Sequence, residues 1–438
     1  MAGQCSENLV RGLGVRQLAA SIVNATIGAG IFVVPALVAQ GLGAAAPIAY
    51  VICAVMMALV VTTFAMAGSR VTSTGGLFAY VDAAFGPYIG FLAGTLQWAG
   101  ALFGAAGVAI ALMNALAVAV PALQGPVARP ITLAAILVTF ATINSRGVRT
   151  GARTIEFLTL AKLVPLLGFV VLGAFAVRSD ALTWPGMPDG GSIGRAVLLL
   201  SFAFVGIEIA LTPSGEVARP ARTVPRAIYL ALAITTSLYI AIQLVAQGVL
   251  GAELAQHADA PLAEAGRRFL GGAGATLMLG GTLISMLGYL SGDALCSPRN
   301  LYAFARDGFL PAAFARVEPA TRAPRLAIWA HAALVFAAAN SGSFEAIAII
   351  ANVATLTLYL LACLASVRLM RRDVRADGEP FVVPAASLIA ALAIVALVAI
   401  MSTATVKEFA ATGITLAIAS LLYKLRRRPQ PAPPAAVT

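Results

Sequence analysis

The sequence is short of charge. Asp, Glu, Lys and Arg make up only 11% of its 438 residues, where soluble chains carry about 25%. A surface facing water needs that charge, which excludes a soluble globular enzyme. A disordered chain is excluded as well, since it would need far less apolar residue content. Cysteine is scarce: Cys5, Cys53, Cys296 and Cys363 are scattered and form no CxxC pair. They read as small buried apolar side chains, not as a disulfide scaffold. The two histidines, His257 and His331, stand far apart without a ligand cluster, so no metal site is expected. No cofactor and no catalytic residue is expected either. What the chain has in excess is apolar: 60% of residues are hydrophobic and the mean hydropathy is +0.92. The class that remains is a polytopic membrane protein.

A spanning helix needs about 20 apolar residues to cross a hydrocarbon core of about 30 Å. Twelve stretches qualify: 17–41, 45–68, 88–120, 131–147, 154–177, 193–217, 226–250, 270–295, 325–341, 346–367, 382–402 and 409–424. The first is too long for the core of a signal peptide and contains Asn24, so it is read as a retained helix. With a cytoplasmic N-terminal segment (1–16), 22 of the 29 Lys and Arg residues fall on the cytoplasmic side and six on the outer side. This positive-inside bias puts both termini in the cytoplasm. The net charge of +11 is then a topology device facing anionic lipid headgroups, not a nucleic-acid surface. The tail 425–438, rich in proline, reads as disordered. Nothing in the pattern fixes an oligomeric state.

Function is sought where the apolar pattern breaks. The first span holds Thr26-Ile27-Gly28-Ala29-Gly30-Ile31-Phe32, with two glycines one residue apart. Span six holds Phe202-Ala203-Phe204-Val205-Gly206-Ile207-Glu208, with a carboxylate at membrane depth. Such a group costs about 2.5–3.5 kcal/mol on insertion scales and is expected to face a cavity or a partner. The interrupted spans head two successive groups of five helices (17–177 and 193–367), with two more spans after them (382–424). Five is odd, so the second group enters from the opposite side, as an inverted repeat. Paired interruptions of this kind point to a transport site at the bilayer midplane.

These residues carry a resemblance. Ile27-Gly28-Ala29-Gly30-Ile31-Phe32 is followed by Pro35, and Gly75-Gly76-x-x-x-Tyr80 by Phe85-Gly86-Pro87. Asn144-Ser145-Arg146-Gly147 comes next, then Phe204 to Glu208, and Gly215-Glu216-Val217 ahead of Pro220 and Pro225. Ser297-Pro298-Arg299 and Arg306-Asp307-Gly308-Phe309-Leu310-Pro311 close the series. In this order and spacing the chain resembles permeases of the amino acid–polyamine–organocation superfamily over nearly its whole length. The resemblance implies an all-α LeuT-like fold, two inverted five-helix repeats plus two C-terminal helices, in a bacterial inner membrane. It implies secondary active transport of amino acids, with an exchanger of amino acids and amines as the alternative.

An amino acid presents a carboxylate and an ammonium. A half-helix starting near Gly30 offers free N–H groups to the first, and glycine lets it approach the backbone. Carbonyls around Ile22–Ala25 and Phe202–Val205 are candidates for the second. The expected substrate site is therefore Ile27, Gly28, Ala29, Gly30, Phe202, Phe204, Val205, Gly206 and Tyr289, with Trp98 a weaker aromatic candidate. Lys162 is the one basic residue inside a span. Either it snorkels to the headgroups, or its ammonium stands where relatives hold a sodium ion, as the resemblance implies for proton-coupled members. Ser285 and Ser291 are its candidate contacts. Glu208 is read as a second proton site, a cationic-substrate site or a brace for freed backbone groups. Glu216, beside Arg219 and Arg222, is read as a gating residue, with Asp293, Arg299 and Arg306 as possible partners across the cytoplasmic face.

Overall fold

The computed structural model describes residues 14–71, 76–146, 162–184, 186–208, 220–318, 321, 323–375 and 379–425. Among these every regular element is a helix. In chain order they are α1 (Val15–Thr26), α2 (Gly30–Leu42), α3 (Ala46–Gly68), α4 (Leu77–Phe85), α5 (Pro87–Ala119), α6 (Ala128–Ser145) and α7 (Lys162–Ala176). There follow α8 (Gly190–Phe204), α9 (Pro220–Leu250), α10 (Pro261–Cys296), α11 (Pro298–Arg306), α12 (Arg325–Ala339), α13 (Phe344–Arg371), α14 (Ala386–Met401) and α15 (Val406–Leu425). Among the described residues seven helical stretches are long and apolar enough to cross a membrane.

Local chemistry sets the ends. Gly76 (φ 63°) and Gly86 (φ 89°) bracket α4 in a conformation other residues resist. Pro87 then opens α5, where a missing N–H costs nothing. Asp189 caps α8 by accepting from the Ser192 amide at 3.0 Å, and Ser343 caps α13 through the Ala346 amide. One departure from the expected spans lies in α10, which kinks at Gly271 (φ 61°). The residues before it, Pro261 to Leu270, form a separate short helix carrying Arg267 and Arg268, which the sequence places in a loop. Gly266 and Gly274 pack backbone to backbone across this kink, so neither site has room for a side chain.

Helices α5 and α13 form the centre, and both are 72% buried along their apolar windows. Helix α15 is 11% buried and forms part of the rim. Between α13 and α14, the chain is tied back to the end of α3: Arg70 reaches the Val374 carbonyl at 3.0 Å and the Phe381 amide donates to Ser69 Oγ at 2.9 Å. In that connection Asp373 pairs with Arg375, which holds its carboxyl below the usual carboxylate range.

Candidate substrate cleft

Helix α1 stops at Thr26, and the chain turns through Ile27, Gly28 and Ala29 before α2 begins at Gly30. A break inside an apolar bundle leaves backbone groups without helical partners, and each must be satisfied by protein. Three successive carbonyls are met by three different helices. Tyr239 on α9 donates its hydroxyl to Thr26 O at 2.9 Å. Lys162 on α7 donates Nζ to Ile27 O at 2.6 Å, and Ser285 on α10 donates Oγ to Gly28 O at 3.2 Å. Lys162 is buried, so the snorkelling alternative fails: its ammonium points at the break.

The second break follows the end of α8 at Phe204. Val205 is extended and Gly206 takes φ 110°. Glu208 folds back so that its Oε2 accepts from the Gly206 amide at 3.0 Å and from the Tyr359 hydroxyl at 2.5 Å. Of its three readings, the geometry matches the brace. The same Tyr239 hydroxyl that meets Thr26 O also lies 2.9 Å from Ala203 O, so one side chain bridges both breaks. The breaks also touch directly. A Cβ on Gly30 would lie 2.7 Å from Ala203 Cα, and one on Gly206 would lie 2.8 Å from Ala25 O. Glycine is required at both by the approach of backbone, and at Gly206 by φ as well.

Beside this junction is a cleft with about 350 Å³ of empty space. Gly28, Ala29, Gly30 and Val205 contribute backbone to it, and Phe202 and Tyr289 contribute rings. Helix α2 has no side-chain cap; the Phe32 amide turns back to Ala29 O at 3.0 Å, and the amides of Gly30 and Ile31 are left at the positive end of the helix. The opposite wall is α5 at Gly100 and Gly104, with Ala351 and Thr355 of α13. A Cβ on Gly104 would stand 3.0 Å from the Tyr289 hydroxyl, and one on Gly107 3.7 Å from Phe202. Glycines at this spacing make room for the two rings. The run Gly100-x-x-x-Gly104 carries that signal in the sequence, but small-residue spacing on a helix usually means packing, and the site reading overlooked it.

Several expected residues fall elsewhere. Phe204 is fully buried and packs edge-on against Tyr239 at 5.3 Å, outside the cleft, because it sits two positions from Phe202 on a helix. Ile27 is also buried away from the lining and contributes only its carbonyl. Trp98 packs toward His331. Three of the carbonyls proposed for an ammonium are engaged: Ile22 O accepts from Thr26 Oγ1, Val23 O from the Ile27 amide, and Ala203 O from Tyr239. Ser285 approaches Gly28, whereas Ser291 is buried with its hydroxyl unbonded among the described residues. Asp293 lies in the last turn of α10, where it accepts from Ser297 Oγ at 2.5 Å and pairs with His331 at 2.8 Å. His331 is thus not isolated, as its sequence position suggests. Glu216 lies outside the described residues, as do the first 13 residues and the tail from 426. Among the described residues no group of three or more His, Cys, Asp or Glu is arranged to hold a metal ion.

A broken helix (α1 to α2) meeting the end of a second (α8) beside a cleft, within a bundle of membrane-length apolar helices, defines a multi-pass membrane transport protein. Comparison with known proteins gives the family: the amino acid permease model matches residues 13–423, and the chain belongs to that family, within the amino acid–polyamine–organocation superfamily. It is a transporter and not an enzyme. The methylthioribose transporter of Bacillus subtilis is 28% identical over 88% of this chain and 87% of its own length. The serine/threonine exchanger SteT of the same organism is 25% identical over 91% and 92%. The arginine/ornithine antiporter of Pseudomonas aeruginosa is 30% identical over 71% and 67%.

Proposed function

We propose that the protein carries small neutral amino acids across the cytoplasmic membrane by alternating access, coupled to protons and independent of sodium. The frame is LeuT-like: twelve spans, with repeats 17–177 and 193–367 inverted relative to each other, spans 382–424 added, and both termini cytoplasmic. The carboxylate binds the uncapped start of α2 at Gly28, Ala29 and Gly30. The side chain lies under Phe202 and Tyr289 against Gly100 and Gly104. Among the described residues no charged side chain lines the cleft, which favours a neutral substrate.

One observation carries the coupling: the buried Lys162 ammonium donates to Ile27 O inside the break, 2.6 Å away. A cation in this position fixes the break electrostatically, and releasing its proton would loosen it. Glu208 braces Gly206 in this reading and leaves proton coupling to Lys162. Glu216 is assigned to the cytoplasmic gate. Radiolabelled L-alanine and L-serine uptake into proteoliposomes tests this. It should be unchanged when choline replaces sodium, be driven by an imposed proton gradient, and lose that drive in Lys162→Met. Sodium-dependent uptake, or a Lys162→Met variant still driven by protons, would refute the coupling. Two relatives, an exchanger and an antiporter, favour obligate exchange as a second reading. Uptake that requires internal amino acid would establish it.

A further inference from the structure

A polar feature outside the cleft runs along α9. Thr235, Tyr239, Gln243 and Gln247 recur at every fourth position, so they stack along one face of the helix. All four are 2% exposed or less. Their neighbours Ile242, Val245, Ala246 and Val249 are ordinary apolar core. Of the four, Tyr239 is engaged, through Thr26 O and Ala203 O. Gln247 spends Nε2 on Gly251 O at 3.1 Å, and its Oε1 meets no protein partner among the described residues. Neither amide atom of Gln243 does, nor does the Thr235 hydroxyl.

A primary amide brings two donors and two acceptor lone pairs. An apolar bundle does not keep such a group dry, and buried water ordinarily satisfies one. Four residues of helix rise about 6 Å, so the polar side chains follow one another along α9 at that interval. The ladder begins near Gly251, where α9 ends, and reaches the joint between the two helix breaks.

We propose that this face of α9 binds a file of ordered water from Gln247 to Tyr239, with Gln243 as its central rung. The file gives Thr26 O and Ala203 O exchangeable partners beside Tyr239 when the broken helices shift. That last consequence rests on the alternating-access reading; the water site itself does not.

Radiolytic footprinting tests the site, because hydroxyl radicals generated from bound water oxidise the side chains beside it. With the purified protein in nanodiscs, Tyr239 should be oxidised at least threefold faster than Phe64, which is equally buried. Gln243→Leu should bring Tyr239 down to the Phe64 rate. Tyr239 oxidised no faster than Phe64 in the wild-type protein overturns the proposal, and that measurement needs no variant. A Gln243→Leu protein that melts higher than wild type, with Tyr239 labelling unchanged, also overturns it, because a dry amide would then have been replaced at a gain. No substrate enters either assay, so failure of the transport reading leaves the result intact.

Discussion

Gly28 and Gly30 look equivalent in the sequence, and the fold makes opposite demands on them. A methyl group on Gly30 would place its carbon 2.7 Å from Ala203 Cα and 2.9 Å from Ala203 Cβ. Carbon atoms pack at about 3.5–4.0 Å, so α2 would have to retreat from α8 by about 1 Å. The obstacle is backbone, and no rotamer change relieves it. Overpacking of this kind costs about 1–3 kcal/mol. Tyr239 and the Gly206–Ala25 contact carry any shift from one break to the other. A methyl group on Gly28 meets Tyr289 Cδ2 at 3.4 Å, an ordinary contact with a side chain. Gly30→Ala should therefore lose thermal stability and reduce L-alanine uptake about tenfold, the factor that about 1.4 kcal/mol represents. Gly28→Ala should melt like wild type and lose only affinity for the bulkier substrates. The two variants can be compared by melting in detergent and by initial uptake rates in proteoliposomes. Wild-type stability and uptake in Gly30→Ala, or the reverse order of the two variants, would refute the claim that backbone contact between the breaks holds the site.

Two further predictions follow from side chains that join helices. Tyr239→Phe keeps the ring packed on Phe204 but strips the shared donor from Thr26 O and Ala203 O. It should cost about 1–3 kcal/mol and speed amide hydrogen exchange at both breaks together, as read by mass spectrometry; faster exchange at one break alone would count against a shared joint. Arg195 on α8 forms two bonds of 2.9 Å to Glu408 on α15. The pair is partly exposed, so Arg195→Met should lower stability by only about 1 kcal/mol or less, and exchanging the two residues (Arg195→Glu with Glu408→Arg) should restore whatever the single change removes. Melting curves of the three proteins decide it.

Much of the fold was legible beforehand because it is local. Most helices between Val15 and Leu425 fall on apolar runs, since the backbone of such a run has no partner in lipid other than itself; α11 and the short helix Pro261–Leu270 are exceptions. The breaks at Ile27–Ala29 and Val205–Glu208 were legible for the same reason: glycine weakens a helix wherever it sits. Phe202 and Tyr289 line the cleft and Phe204 does not, because two positions along a helix change the face and the sequence does not say which face is inward. The kink at Gly271 escaped notice because its glycine lies among several others, and the conformation of one depends on packing against Gly266.

The partners at the site belong to tertiary structure. Lys162, Tyr239 and Ser285 meet carbonyls 135, 213 and 257 residues away. No pattern of neighbouring residues encodes such pairings; they exist only once α7, α9 and α10 pack around the break. The sequence determined the class of protein, the helices and the two weak points in them, since hydropathy and glycine act within a few turns. The folded chain alone decided that the odd lysine reaches Ile27 O, that one tyrosine serves both breaks, and that Gln243 is buried with its amide atoms unpartnered among the described residues, because burial and hydrogen bonding arise from contacts between distant segments.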